Sequence, residues 1–239
     1  MEDPRHVSYI GHGEVRASPT LPTVFNPQTH LPNGVALHPQ TLFPLDVSQN
    51  AVRPVLRFIN LTNSTEFLIY TDGSCLQNGQ QNPKAGCAFV YKNTGQQPNG
   101  YVRFRLEEEG PTGVRYRPTS NRAELRAVIA ALRFREWSRE GFSSLVIATD
   151  STHVAEGMTS WVREWLERDW TKSDGKLVTN RDLWECLLDE VNHCQRNGLH
   201  VKFWRIPRKW NEAADRHAKH AATHLRAQEK FTHLVDDAR

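Results

Sequence analysis

FLIYTDGSC, at residues 67–75, sets four strand-favouring residues directly before Thr71, Asp72, Gly73 and Ser74. Asp-Gly is turn chemistry and Asp often closes a strand, so a turn is the plain reading of this stretch. A second apolar run, LVIATD at 145–150, closes on Asp150 in the same way. Two buried strands ending on carboxylates ask for a reading of the whole chain.

Around these two runs the pattern is regular. AGCAFVY at 85–91 is a second buried strand, and YVRFRL at 101–106 alternates as a third. NRAELRAVIAALRFREW then places Leu125, Val128, Ile129 and Leu132 on one helical face, with Gly141 as a stop. After 145–149 come helical patterns at 151–168 and 181–197, the short strand HVKFWRI, and a helix from about Asn211. Three strands, a helix, a strand, helices, a strand and a helix define an α/β domain with a mixed sheet and helices on its faces.

The 239 residues suffice for one substantial core and an extension. Eight of the 13 prolines fall before residue 60, at Pro4, Pro19, Pro22, Pro27, Pro32, Pro39, Pro44 and Pro54. Such spacing predicts an extended or irregular arm over 1–60, a domain over 61–228 and a tail over 229–239. TLFPLDV and VLRFINL in the arm are apolar enough to lie on a neighbouring core or a partner. Removing residues 1–58 is therefore expected to spare the domain. A net charge of +3 allows an acidic partner without demanding one. The cysteines Cys75, Cys87, Cys186 and Cys194 have no zinc or disulfide spacing, which points to a reducing, intracellular compartment. Nucleus and cytoplasm are the expected locations, with the mitochondrion left open. No apolar run reaches membrane-spanning length, and a monomer is expected.

Two further carboxylates join the strand-ending pair. Glu124 is expected in the first turn of its helix, and Asp215, in NEAAD, in the first turn of the last helix. Each alone is explained by strand closure or by the helix dipole. Together, two strand ends and two helix starts converge at one edge of an α/β sheet, where such sheets place their sites. Four like charges held together need cations, and an oxygen-only donor set favours magnesium or manganese. Two such ions serve in-line displacement at phosphorus.

YTDGSC, SNRAELRA, ATDSTHVAEG and NEAADRHAK, in this order over residues 67 to about 222, resemble the four acidic motifs of type 1 ribonucleases H. The resemblance implies a mixed five-stranded sheet, two Mg2+ ions with Mn2+ as an alternative, and cleavage of the RNA strand of RNA–DNA hybrids to 5′-phosphate products. It assigns Asp72 to bridge both ions, with Glu124, Asp150 and Asp215 completing the cluster. Asn121 either caps its helix or meets a 2′-hydroxyl in the minor groove. Gly73 and Ser74 are assigned backbone contacts to RNA, and Thr119 a DNA phosphate. The segment 160–184 resembles the family's basic protrusion, in which Trp161 meets the DNA backbone and Lys172, Lys176 and Arg181 meet phosphates. Glu164, Glu167, Asp169 and Asp174 nearly cancel its charge, so modest, salt-sensitive affinity is expected.

Many relatives carry a His before the last acid. None stands between Trp204 and Asp215 here, and Arg205, Arg208 and Lys209 are assigned to hold phosphate instead. His200 and His217 do not occupy the family's position. A hybrid-binding module without turnover, or a relative cutting DNA or double-stranded RNA, remains as the alternative.

Overall fold

The structure, a computed structural model, describes residues 19–27, 37–48, 51, 54–92, 95 and 99–234. Pro4, Pro32 and the last five residues of the expected tail lie outside these described residues.

The five expected strands are present. They are β4 (Asn63–Leu76), β5 (Lys84–Val90), β6 (Tyr101–Arg105), β7 (Ser144–Thr149) and β8 (His200–Arg205). β4 runs parallel to β7 and β7 parallel to β8, while β4, β5 and β6 form an antiparallel meander. Side chains alternate across the sheet as a period of two requires. Phe67, Ile69, Phe89, Leu145 and Ile147 enter one core, and Leu68, Tyr70, Val90, Val146 and Ala148 enter the other. The first core is covered by α2 (Ser120–Arg133) and α5 (Arg181–Arg196), the second by α6 (Glu212–His224) and the arm.

Among the described residues the sheet has eight strands rather than five. The arm supplies β1 (Thr23–Val24), which pairs parallel with β8, and the antiparallel pair β2 (Leu45–Val47) and β3 (Leu56–Asn60). β3 pairs with β4 through Phe58–Leu68 and Ile59–Phe67, on the edge of β4 that β5 uses further along. The expected boundary at residue 60 thus falls in the turn of a hairpin. The prolines permit this because Pro44 and Pro54 precede the strands and do not interrupt them. Pro39 likewise opens α1 (Pro39–Leu42), where a missing N–H does no harm. Phe25, Leu42 and Phe43 of the arm are buried against Trp204.

The expected helix over 151–168 is broken into α3 (Thr152–Glu156), a π turn (Gly157–Trp161) and α4 (Val162–Glu167). Gly157 is required there, since a Cβ would stand 2.2 Å from Cη2 of Trp184. The end of the expected domain and residues 229–234 of the expected tail are docked. Glu108 and Glu109 donate their N–H groups to the carbonyls of Gln228 and Glu229. Thr232 donates its hydroxyl to Glu107, whose carboxylate is paired with the fully buried Arg126.

Candidate active site

Asp72 does not end its strand. β4 continues to Leu76, with Asp72 opposite Ala88 of β5. What ends is the neighbour: pairing with β7 stops at Tyr70–Ala148, and Asp150 follows the last residue of β7. The carboxylate therefore sits in a strand that outruns its parallel partner, at the carboxyl edge of the sheet where two chain directions open a crevice.

Gly73 sets the next distance. A Cβ at Gly73 would lie 2.1 Å from the backbone nitrogen of Glu124, so its hydrogen is what lets α2 rest on β4. That contact brings Glu124 beside Asp72. Gly73 is buried, and its N–H acts on the Asp72 carboxylate. Gly73→Ala is expected to push α2 off the strand, lowering cleavage at least tenfold and costing about 1–3 kcal/mol, measured by initial rates and thermal unfolding.

Glu124 lies in the second turn of α2, beyond the reach of the helix dipole expected for it. The helix is capped by Thr119, whose hydroxyl accepts from the N–H of Arg122 at 3.2 Å. Thr119 thereby has a structural partner, and Asn121 is inside the helix and exposed, not its cap. Glu124 accepts from the hydroxyl of Ser151 at 2.5 Å, and Asp150 accepts from Nδ2 of Asn211 at 2.7 Å. Asn211 also donates to the carbonyl of Thr71 at 3.0 Å, so one buried amide ties the middle of β4 to the residue that follows β7. Asp215, in the first turn of α6, accepts from Arg208 at 2.7 Å and from Lys219 at 2.6 Å.

The electrostatics show that the four acids meet. Burial, then Asp150, Asp215 and Glu124, push the Asp72 carboxyl from 3.8 up to about 8. Burial is also the main cause that raises Glu124, with Asp150 adding to it and Ser151 and Arg208 opposing. Asp215 in turn holds the Arg208 guanidinium above its usual value, with smaller help from Asp150 and Asp72. Among the described residues no three His, Cys, Asp or Glu side chains form a closed metal cage, and Ser151, Asn211, Arg208 and Lys219 bond to oxygens of Glu124, Asp150 and Asp215. An ion that keeps several of its waters needs no such cage, and an all-carboxylate set in which Asp72 and Glu124 resist ionisation fits a divalent cation.

The remaining expected residues separate. Asn121, Trp161 and Lys172 line one cleft of about 470 Å³ with His153, Trp165 and Trp184. Lys176 is turned to Asp174, and Arg181 to Glu185 and the ring of Trp170. Trp170 and Trp184 are core residues. Arg205 is exposed at the end of β8, across from Thr149, and Lys209 faces a different groove, on the α6 side. Ser74 is half-buried opposite Gly86. His200 begins β8, at the far end from Asp150, bonded to Gln195. His217 is buried under Tyr101 at 3.8 Å, and burial, then Arg103, push it down to about 4.

Sequence reading missed Asn211, Ser151, Lys219 and His153. Each stands inside a quoted acidic motif, but nothing local marks the acid that Asn211, Ser151 or Lys219 touches, or the cleft that His153 enters. His153 is edge-on to Trp184 at 5.0 Å in the cleft, and burial, then Lys172, hold it below the ordinary histidine value.

Converging carboxylates at the open edge of a mixed sheet define a metal-dependent phosphodiester hydrolase. Residues 64–223 match the family described as RNase H. A ribonuclease H of Idiomarina loihiensis is 33% identical over 163 residues, which are 68% of this chain and 92% of that one. Ribonuclease H1 of Mus musculus is 34% identical over 160 residues, and the match spans 65% of this chain but only 50% of that protein. Among solved structures, LC9-RNase H1, a type 1 RNase H with the type 2 active-site motif, is 30% identical, with a TM-score of 0.46 and coverage of 68% of this chain and 74% of its own. The chain belongs to the RNase H family. It is an enzyme of that class, a nuclease, and membership implies dependence on a divalent metal ion. No helix among the described residues is long and apolar enough to cross a membrane.

Proposed function

We propose that this chain hydrolyses the RNA strand of RNA–DNA hybrids, with Asp72, Glu124, Asp150 and Asp215 holding two Mg2+ ions. The observation that carries the reading is the packing that gathers the acids at one edge of the sheet: Gly73 seats the backbone of Glu124 against β4, and Asn211 joins Asp150 to Thr71, the residue before Asp72. When bound, two such ions supply an activated water and neutralise the leaving oxygen of an in-line displacement. The chain's own residues orient the donors. Asn211 sets the rotamer of Asp150, Ser151 that of Glu124, and Lys219 that of Asp215. Arg208, exposed and bonded to Asp215, is placed to exchange that carboxylate for a substrate phosphate.

Recognition follows from what remains free. With Thr119 capping α2, Asn121 makes no side-chain hydrogen bond among the described residues and is available to a 2′-hydroxyl. Trp161 and Lys172, sharing its cleft, take the DNA backbone. Lys176 and Arg181 are already paired, which supports modest, salt-sensitive affinity. Free thiols at all four cysteines support a reducing compartment, and we read the active species as a monomer.

The deciding assay offers a labelled hybrid, matched duplex DNA and double-stranded RNA to the full chain with Mg2+. Cutting of the hybrid's RNA strand to 5′-phosphates, abolished by a chelator, is expected. Binding of the hybrid without cutting under any divalent ion overturns the reading in favour of a binding module. The same assay across pH is expected to rise through neutrality without a limb near 6.5, because His200 is remote and His217 is held neutral. A limb near that value that disappears in His217→Ala contradicts the assignment of the loop cations.

A further inference from the structure

The carboxylates have clefts on both sides of the sheet. The one holding Asn121, Trp161 and Lys172 lies on the α2 face. The other is a groove of about 610 Å³ on the α6 face, lined by His38, Phe58, Tyr70, Lys209, Trp210 and Arg216. Its floor, Tyr70, is two residues before Asp72 on β4, so strand alternation puts both side chains on one face about 7 Å apart. Its far wall is Trp210, next to Asn211, and its rim is Arg216, next to Asp215. The four acids do not line the groove, but its walls stand within one or two residues along the chain of Asp72, Asn211 and Asp215.

Its near wall comes from the arm. His38 caps α1, its Nδ1 accepting from Gln40, and stands edge-on to Trp210 at 5.1 Å. Phe58 of β3 meets Tyr70 edge-on at 5.4 Å. The Tyr70 hydroxyl is buried and has no hydrogen-bond partner among the described residues, an arrangement that asks for a polar ligand. Lys92, Lys209 and Arg216 face one carboxylate, Glu212. Lys209 and Arg216 are exposed and make no ion pair among the described residues.

Aromatic faces with unpaired cations bind nucleotides by stacking and by phosphate contact. A base within a duplex is stacked and paired, so it cannot lie against Trp210. We propose that this groove holds unpaired bases of a single-stranded extension where it leaves the hybrid, so that the enzyme favours sites beside a hybrid's end. The α2 face takes the duplex, the acids mark the junction, and the α6 face takes the departing strand. The volume lies within the roughly 300–1,000 Å³ of small-ligand sites and suits a nucleotide or two. The inference rests on hybrid binding as read above.

The test measures binding, not turnover. The full chain carrying Asp72→Asn, in calcium, is titrated by fluorescence anisotropy onto a blunt hybrid and onto the same hybrid with a four-nucleotide RNA or DNA extension. An extension is expected to tighten binding roughly tenfold. Adding Arg216→Ala or His38→Ala is expected to remove that gain and leave blunt-hybrid affinity within about twofold. Equal affinity with and without an extension overturns the groove assignment while leaving hybrid recognition standing. A gain that persists in both variants also overturns it, by placing the extension elsewhere. No binding of the blunt hybrid at all would refute the proposed function and this inference together. Arg216 is exposed, so its variant keeps the experiment decisive even where loss of the His38 cap weakens the arm.

Discussion

Asp72→Asn is expected to abolish hybrid cleavage, with at least a thousandfold loss in initial rate, while binding measured in calcium largely survives. The carboxylate is buried among Asp150, Asp215 and Glu124, and an amide of the same shape supplies no charge to a divalent ion. The same variant is expected to be more stable than the wild type in a chelator. The Asp72 pKa rises from 3.8 to about 8 on folding, so the native state binds this proton more tightly than the unfolded chain does. Its contribution is therefore fully present below pH 4, declines as pH rises between about 4 and 8, and is flat above. The wild type should lose thermal stability through that window by an amount of the order of several kcal/mol, and Asp72→Asn should not. Divalent ions added at pH 8 should restore the wild type and leave the variant nearly unmoved. A variant retaining a tenth of the wild-type rate, or a wild type whose melting temperature ignores pH in this window, would count against the assigned cluster.

Removal of residues 1–58 is expected to unfold the chain or lower its melting temperature by more than about 15 °C, the reverse of what the arm's composition suggests. Phe25, Leu42 and Phe43 are almost wholly buried against Trp204 and its neighbours, and burying each such side chain is worth about 1.5–3 kcal/mol. Their loss, with the pairing of β3 on β4, is comparable with the entire stability of a typical domain, about 5–15 kcal/mol. Circular dichroism during heating checks the claim. Phe43→Ala in the full chain serves as its graded form, with an expected cost of about 3–5 kcal/mol. A truncated chain that melts at the temperature of the intact one would show that the arm merely rests on the sheet.

The element order was legible in the sequence because periodic apolar runs are local, and so was family membership, because the motifs carrying Asp72, Glu124, Asp150 and Asp215 are ordered along the chain. Strand pairing leaves no such local mark. The arm reads as irregular because its strands have two, three and five residues, too short to show a period, and the partner of β1 lies far along the chain in β8. Asp72 reads as a strand end because the sequence shows one strand at a time. Only the sheet reveals that β4 outruns β7 and pairs onward with β5. Gly73 reads as turn or ligand chemistry, whereas the approach of α2 gives it its purpose. Asn211 reads as the start of a helix, and tertiary contact alone gives it Asp150 and Thr71. What the sequence by itself determined is which groups carry charge and in what order. Which of them meet, how closely, and what neutralises them was decided by packing between distant residues, Asn211 and Thr71 being 140 positions apart, a distance over which no local pattern reports.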